Sequence, residues 1–141
     1  MESIISLLTP KKATFFLSEN CTIRQALEKF DVHKFSVVPL LDEEGHYKGT
    51  LSEGDLLRYI KNQAKFDLSK AEKVRISDLD HYRPYRSLKI DALMIDVFSL
   101  SLEQNFIPVT DDKDIYIGII KRKEVIKVLF DNLQEYLPNN K

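Results

Sequence analysis

The chain has 141 residues, 21 Lys+Arg against 22 Asp+Glu, and one cysteine. A net charge of −1 supplies no strong field, which argues against nucleic acid and against an anionic membrane surface as partners. The composition is globular, and the length fits one ordinary domain or two very small ones packed together. Cys21 cannot form an internal disulfide, so a reducing, cytoplasmic setting is expected. The first ten residues lack the basic segment of a signal peptide, and no apolar run is long enough to span a bilayer.

In chain order, residues 1–8 leave room for a helical turn that Pro10 stops. A strand is expected over 13–17, then a helix over 22–32 with Thr22 as N-cap. The apolar run 35–41 reads as a buried strand, 42–45 as a turn and 46–51 as the next strand. Ser52 opens a helix to about 62. The polar stretch 63–84 reads as an ordered connection with one short helix. A second series follows: strand 85–90, a helix from Asp91 to about 102, strands near 106–109 and 115–120, and a helix over 121–136.

The two series are one pattern written twice. Pro39 and Pro108 lie 69 residues apart, as do Asp42 and Asp111, Tyr47 and Tyr116, Gly49 and Gly118, and Asp55 and Glu124. Upstream, the stripes Ile23, Leu27, Phe30 and Leu93, Val97, Leu100 match at an offset of 70, a slip of one residue. Neither copy alone buries enough apolar area for stability. The expectation is an α/β (α+β) fold in which the two copies pack by pseudo-twofold symmetry and share a core.

The chemistry concentrates in Gly49-Thr50-Leu51-Ser52-Glu53-Gly54-Asp55. Ser52 stands where a strand meets a helix, and the unpaired N–H groups of a helix start attract anions. Asp55, one turn in, suits the vicinal hydroxyls of a ribose. Ser-x-x-Asp is equally the pattern of a helix capping box. In the second copy Lys121 and Glu124 take these positions, so capping alone does not explain both copies. Lys121, Arg122 and Lys123 open a helix where positive charge opposes the dipole, which marks either a functional site, such as one for ligand phosphates, or simply a solvated basic helix face. Arg83, Tyr85 and Arg86 form a basic-aromatic cluster able to stack a base, or simply one solvated strand face. His33, His46 and His81 lack metal-ligand spacing, and Cys21 has no activating partner. Without a Walker loop, dinucleotide fingerprint, nucleophile elbow or acid–base pair, neither an enzyme nor a catalytic cofactor is expected.

The repeated pattern resembles a tandem pair of cystathionine β-synthase (CBS) domains, a Bateman module. It is carried by Thr22-Ile23, Ala26-Leu27, Val37-Val38-Pro39-Leu40, Gly45 and Gly49 to Leu57, and again by Phe106 to Val109, Gly118 to Ile120 and Glu124 to Ile126. More narrowly it is similar to stand-alone bacterial CBS-pair proteins. The resemblance implies two βαββα repeats: residues 8–62 and 85–135, joined by 63–84. It implies a regulatory sensor of an adenosine-containing nucleotide (AMP, ADP or ATP, alternatively cyclic di-AMP or S-adenosylmethionine) in a cleft between the repeats. A ligand-free dimeric interaction scaffold is the other reading. Gly49, Thr50, Leu51, Ser52, Glu53 and Asp55 would hold ribose and phosphate. Gln104, Asn105, Phe106, Arg83 and Tyr85 would surround the base. Phe35, Ser36, Val37, Lys121 and Glu124 would line a second groove. The resemblance further implies a disc-like homodimer, with helix residues such as Val125, Val128 and Leu129 at its interface. With no room for a catalytic domain in these residues, the effect would fall on a separate regulated protein.

Overall fold

The computed structural model describes residues 3–33, 36–63, 65, 67–79 and 84–137. Phe35, His81 and Arg83 lie outside them. The strands are β1 (Leu8–Pro10), β2 (Leu17–Ser18), β3 (Val37–Leu41), β4 (Tyr47–Ser52), β5 (Leu88–Lys89), β6 (Phe106–Thr110) and β7 (Tyr116–Lys121). The helices are α1 (Ile23–His33), α2 (Glu53–Lys61), α3 (Leu68–Ala71), α4 (Met94–Ser101) and α5 (Arg122–Tyr136). The fold is mixed α/β with two sheets, in two compact units: residues 15–85, and residues 1–14 with 86–141.

In the 15–85 unit the sheet order is β2-β3-β4, parallel then antiparallel. α1 starts at a two-way cap: Thr22 Oγ1 accepts from the Gln25 N–H, and Gln25 Oε1 accepts from the Thr22 N–H. Its buried face is Ile23, Ala26 and Phe30, with Leu27 half-buried beside them. These pack against Val38, Leu40, Leu51 and Leu56. Each such burial contributes about 1.5–3 kcal/mol for a large aliphatic side chain. The connection contributes too. Ile76 and Leu79 are buried in this cluster, and the backbone of 74–77 hydrogen-bonds to 19–23.

The other unit repeats the plan with order β1-β7-β6-β5. Its cluster is Met94, Val97, Leu100, Ile107, Val109, Ile120 and Val125, joined by Ile4 and Leu7 from a 3-10 turn over Ile4–Leu7. The segment before each repeat is therefore built into the unit of the opposite repeat. The two clusters are each described within one unit.

The 69-residue repeat is visible in hydrogen bonds. The Ser36 carbonyl accepts from the Glu53 N–H, and the Asn105 carbonyl from the Arg122 N–H. Asp42 Oδ1 accepts from the N–H groups of Glu44 and His46, and Asp111 Oδ1 from those of Lys113 and Ile115. The two hairpin bonds hold the Asp111 carboxyl below its ordinary value. Upstream, the slip is two residues rather than one. Ile23 and Ala26 correspond to Met94 and Val97, and β2 to β5, at an offset of 71. Leu93 is accordingly exposed, and α4 starts three residues after Asp91, with Asp96 accepting the Leu93 N–H. The first leading strand is likewise shorter than 13–17, because residues Lys11–Ala13 form a 3-10 turn.

β1 lies antiparallel on the outer edge of β7, opposite Gly118. A Cβ on Gly118 would fall 2.1 Å from the Thr9 carbonyl oxygen, and φ there is +151°, so only glycine fits. Tyr116 is buried, its hydroxyl 2.8 Å from Thr14 Oγ1; burial pushes its pKa up to about 12. In the interface expectation Val125 is corrected. It is 1% exposed in the core, while Val128 packs partly against it and Leu129 is exposed.

Candidate functional site

The β4–α2 junction of the 15–85 unit places the motif residues. Ser52 ends the strand with extended backbone and caps the helix. Its Oγ accepts from the Asp55 N–H at 3.0 Å, and Asp55 Oδ2 accepts from the Ser52 N–H at 2.9 Å. The capping box is thus fully formed. Asp55 is buried at 7% exposure, and its Oδ1 also accepts from Arg58 Nη2 at 2.5 Å. Two N–H groups of the helix start are engaged internally, Glu53 on Ser36 and Asp55 on Ser52, so the anion site there has less free donor capacity than the sequence suggested. The half-buried Ser52 hydroxyl and the exposed Glu53 and Gly54 stand at the surface of this junction, with the buried Asp55 carboxylate behind them.

Behind the junction, Thr50 is 3% exposed and its Oγ1 accepts from the Tyr85 N–H. The Tyr47 hydroxyl donates to the Tyr85 carbonyl at 2.5 Å. Pro84 lies over Gly49, whose φ is +141°. Tyr85 is therefore fixed beside β4 by its backbone at both polar atoms. Leu51 is corrected: its side chain is fully buried in the core, so it offers a ligand only backbone. Ser36 is exposed and Val37 half-buried opposite Ser52.

In the other unit, Gln104 is 5% exposed. Its Oε1 accepts from the Arg86 N–H, and its Nε2 donates to the carbonyls of Arg86 and Phe106. Both amide protons are taken, so Gln104 holds the strand entrance in place through Arg86 and Phe106. Phe106 is buried at 8%, and Asn105 beside it is exposed. Lys121 is the exposed N-cap of α5 with no side-chain cap bond. Arg122 Nε donates to the Ser101 carbonyl at 2.8 Å, at the negative C-terminal end of α4. That bond holds the guanidinium against the end of α4 through Nε alone. Lys123 is exposed and Glu124 half-buried.

Sequence reasoning missed Arg58, which sits on Asp55, and the tyrosine clamp on Tyr85. The recurrence of Tyr47 and Tyr116 was the available signal for the clamp. Burial pushes the Cys21 thiol up, in keeping with an unreactive cysteine. Among the described residues no group of His, Cys, Asp and Glu is arranged to hold a metal ion, and no helix is long and apolar enough to cross a membrane.

The CBS domain pattern matches this chain twice, over residues 6–62 and 76–131. The chain belongs to the CBS domain family. Its fold is that of solved CBS proteins. CbpB in complex with c-di-AMP has a TM-score of 0.84 at 20% identity, over 96% of this chain and 89% of that one. CbpB of Listeria monocytogenes, also in complex with c-di-AMP, has a TM-score of 0.78 at 18% identity, over 92% and 96%. CBSX2 in complex with AMP has a TM-score of 0.72 at 22% identity, over 94% and 98%. A homoserine O-acetyltransferase of Methanohalophilus mahii is 27% identical over 104 residues. That match takes in 74% of this chain and 20% of that much longer protein.

Proposed function

We propose that this CBS pair is a cytoplasmic regulatory module that senses an adenosine-containing nucleotide (AMP, ADP or ATP) and passes its occupancy to a separate protein. The carrying observation is the β4–α2 junction. There a buried carboxylate, Asp55, and a half-buried hydroxyl, Ser52, stand one turn apart behind an exposed first turn. Asp55 accepts the ribose hydroxyls, a step in which Arg58 gives way; Ser52 meets a phosphate. Arg83 and Tyr85, with Asn105 and Phe106, are assigned to the base. Lys121, Arg122 and Lys123 are assigned to phosphate. Glu124, Ser36, Val37 and Phe35 belong to the weaker second site. The complexes of CbpB with c-di-AMP and of CBSX2 with AMP support an adenosine ligand, with c-di-AMP the first alternative to the mononucleotides. Two copies of the chain form the working assembly. A signal requires that the ligand favour one arrangement of this assembly over another.

The completed capping box favours a second reading, a ligand-free dimeric scaffold in which Ser52 and Asp55 serve the helix alone. Isothermal titration with AMP, ADP, ATP, S-adenosylmethionine and c-di-AMP separates the two. Saturable heat with one of them is expected, and no heat with any overturns the sensor reading in favour of the scaffold.

A further inference from the structure

Arg58 stands in the second turn of α2 and reaches back to the first. Long helical side chains lean toward the N-terminus of their own helix. Here the lean carries a cation to the end where the helix dipole is itself positive. Asp55 holds it there, with Arg58 Nη2 donating to Asp55 Oδ1 at 2.5 Å. The other end group, Nη1, lies over the first turn. The point that a Cβ on Gly54 would occupy is 3.8 Å from Arg58 Nη1 and 3.5 Å from Ser52 Oγ. Guanidinium and hydroxyl thus flank one small opening, which stays clear because residue 54 has no side chain.

Exposure tells which group lies outermost. The Asp55 side chain is 7% exposed, and the Arg58 side chain bonded to it is 47% exposed. Arg58 therefore covers the carboxylate. Asp55 Oδ2 is engaged by the Ser52 N–H, so a ligand hydroxyl that donates to Oδ1 competes with Nη2 for it. A neutral hydroxyl is the weaker donor, because the guanidinium carries the opposite charge. The exchange becomes favourable when the ligand gives the guanidinium an anion in return. A phosphate beside Gly54 meets both Nη1 and the Ser52 hydroxyl. A nucleoside without phosphate brings no such anion.

We infer that Arg58 is a specificity-determining residue of this site. It covers Asp55 against uncharged nucleosides and yields it to nucleotides, whose phosphate takes up the guanidinium as the ribose takes the carboxylate. The inference rests on the ribose reading of Asp55 above and adds to it the selection for a phosphate. Solvent screening of a half-exposed side chain keeps that selection near one order of magnitude.

Isothermal titration of the full chain with AMP and with adenosine tests this. Wild type is expected to bind AMP at least about tenfold more tightly than adenosine. Arg58→Met weakens AMP and tightens adenosine, so the ratio of the two affinities falls about tenfold. Arg58→Gln, polar and uncharged, gives the same fall. Both variants keep the wild-type cooperative melt, since the substituted side chain is half exposed. A residue that only braces the helix would lower both affinities together and leave their ratio unchanged. That result, or a wild type that binds adenosine as tightly as AMP, overturns the selection and leaves the ribose reading standing. A wild type that gives no heat with either compound overturns the mononucleotide reading, and the selection falls with it.

Discussion

Replacing Asp55 by Ala removes two things at once, and their sizes separate capping from ligand binding. In the ligand-free chain the Ser52 N–H loses its acceptor, a capping loss of about 1 kcal/mol. The ion pair with Arg58 is lost as well, but the Arg58 side chain is 47% exposed, so solvent screening holds that contribution to a few tenths of a kcal/mol. The sum, about 1–1.5 kcal/mol, lowers Tm by about 3–5 °C in a chain of this size. Asp55→Asn keeps an acceptor oxygen and loses less than half as much. Binding follows a different order. Hydrogen bonds from ribose to a charged carboxylate contribute about 1.5–3 kcal/mol, so both variants bind the nucleotide at least about tenfold more weakly than wild type. Differential scanning fluorimetry with and without the nucleotide found by titration reads both effects. Asp55→Ala that melts several degrees low yet binds like wild type refutes the ribose role. Asp55→Ala that melts like wild type refutes the capping magnitude.

Gly118→Ala and Gly49→Ala both force a side chain onto a positive φ, a strain of about 1–2 kcal/mol. Gly118→Ala also drives a Cβ into the Thr9 carbonyl, where Gly49→Ala meets only the Pro84 Cβ at 3.5 Å. Urea midpoints are expected to fall roughly twice as far for Gly118→Ala; equal losses contradict the fixed position of β1. Gln104→Ala deprives Arg86 and Phe106 of three hydrogen bonds from a buried amide and costs about 1–3 kcal/mol in the same assay. A neutral result means water replaces the amide. Asp111 has a lowered folded-state pKa, because its carboxylate accepts from Ile115 and Lys113, so its contribution is present above about pH 4 and lost as pH falls through the folded value. The urea-midpoint gap between wild type and Asp111→Asn is therefore widest near neutrality and closes in acid; a gap that widens in acid reverses the sign and refutes the assignment.

Much of the local structure was legible because it depends on residues close in the chain. The Asp42 and Asp111 turns, the Thr22 cap and the Ser52–Asp55 box all satisfy backbone donors within four residues. The family motif was legible for the same reason, as a short string at a strand–helix junction. The two-residue slip was misread because Leu93 and Met94 are both apolar, so periodicity could not tell which of them faces the core. The roles that the resemblance implies for Leu51 and Gln104 say nothing of side-chain direction. Alternation on β4 turns Leu51 inward, and the unpaired backbone of Arg86 takes up Gln104.

The repeat, the element types and the capping residues were determined by the sequence itself, since hydrophobic period and short-range hydrogen bonding are properties of neighbouring residues. Which segment completes which unit was decided only in the tertiary structure. The turn at Ile4–Leu7 and β1 belong with β7, and residues 74–79 belong with α1. Each carries apolar side chains that either cluster would accept by composition. The choice rests on long-range fit: an open strand edge, and a glycine at 118 with no side chain in the way of the incoming backbone.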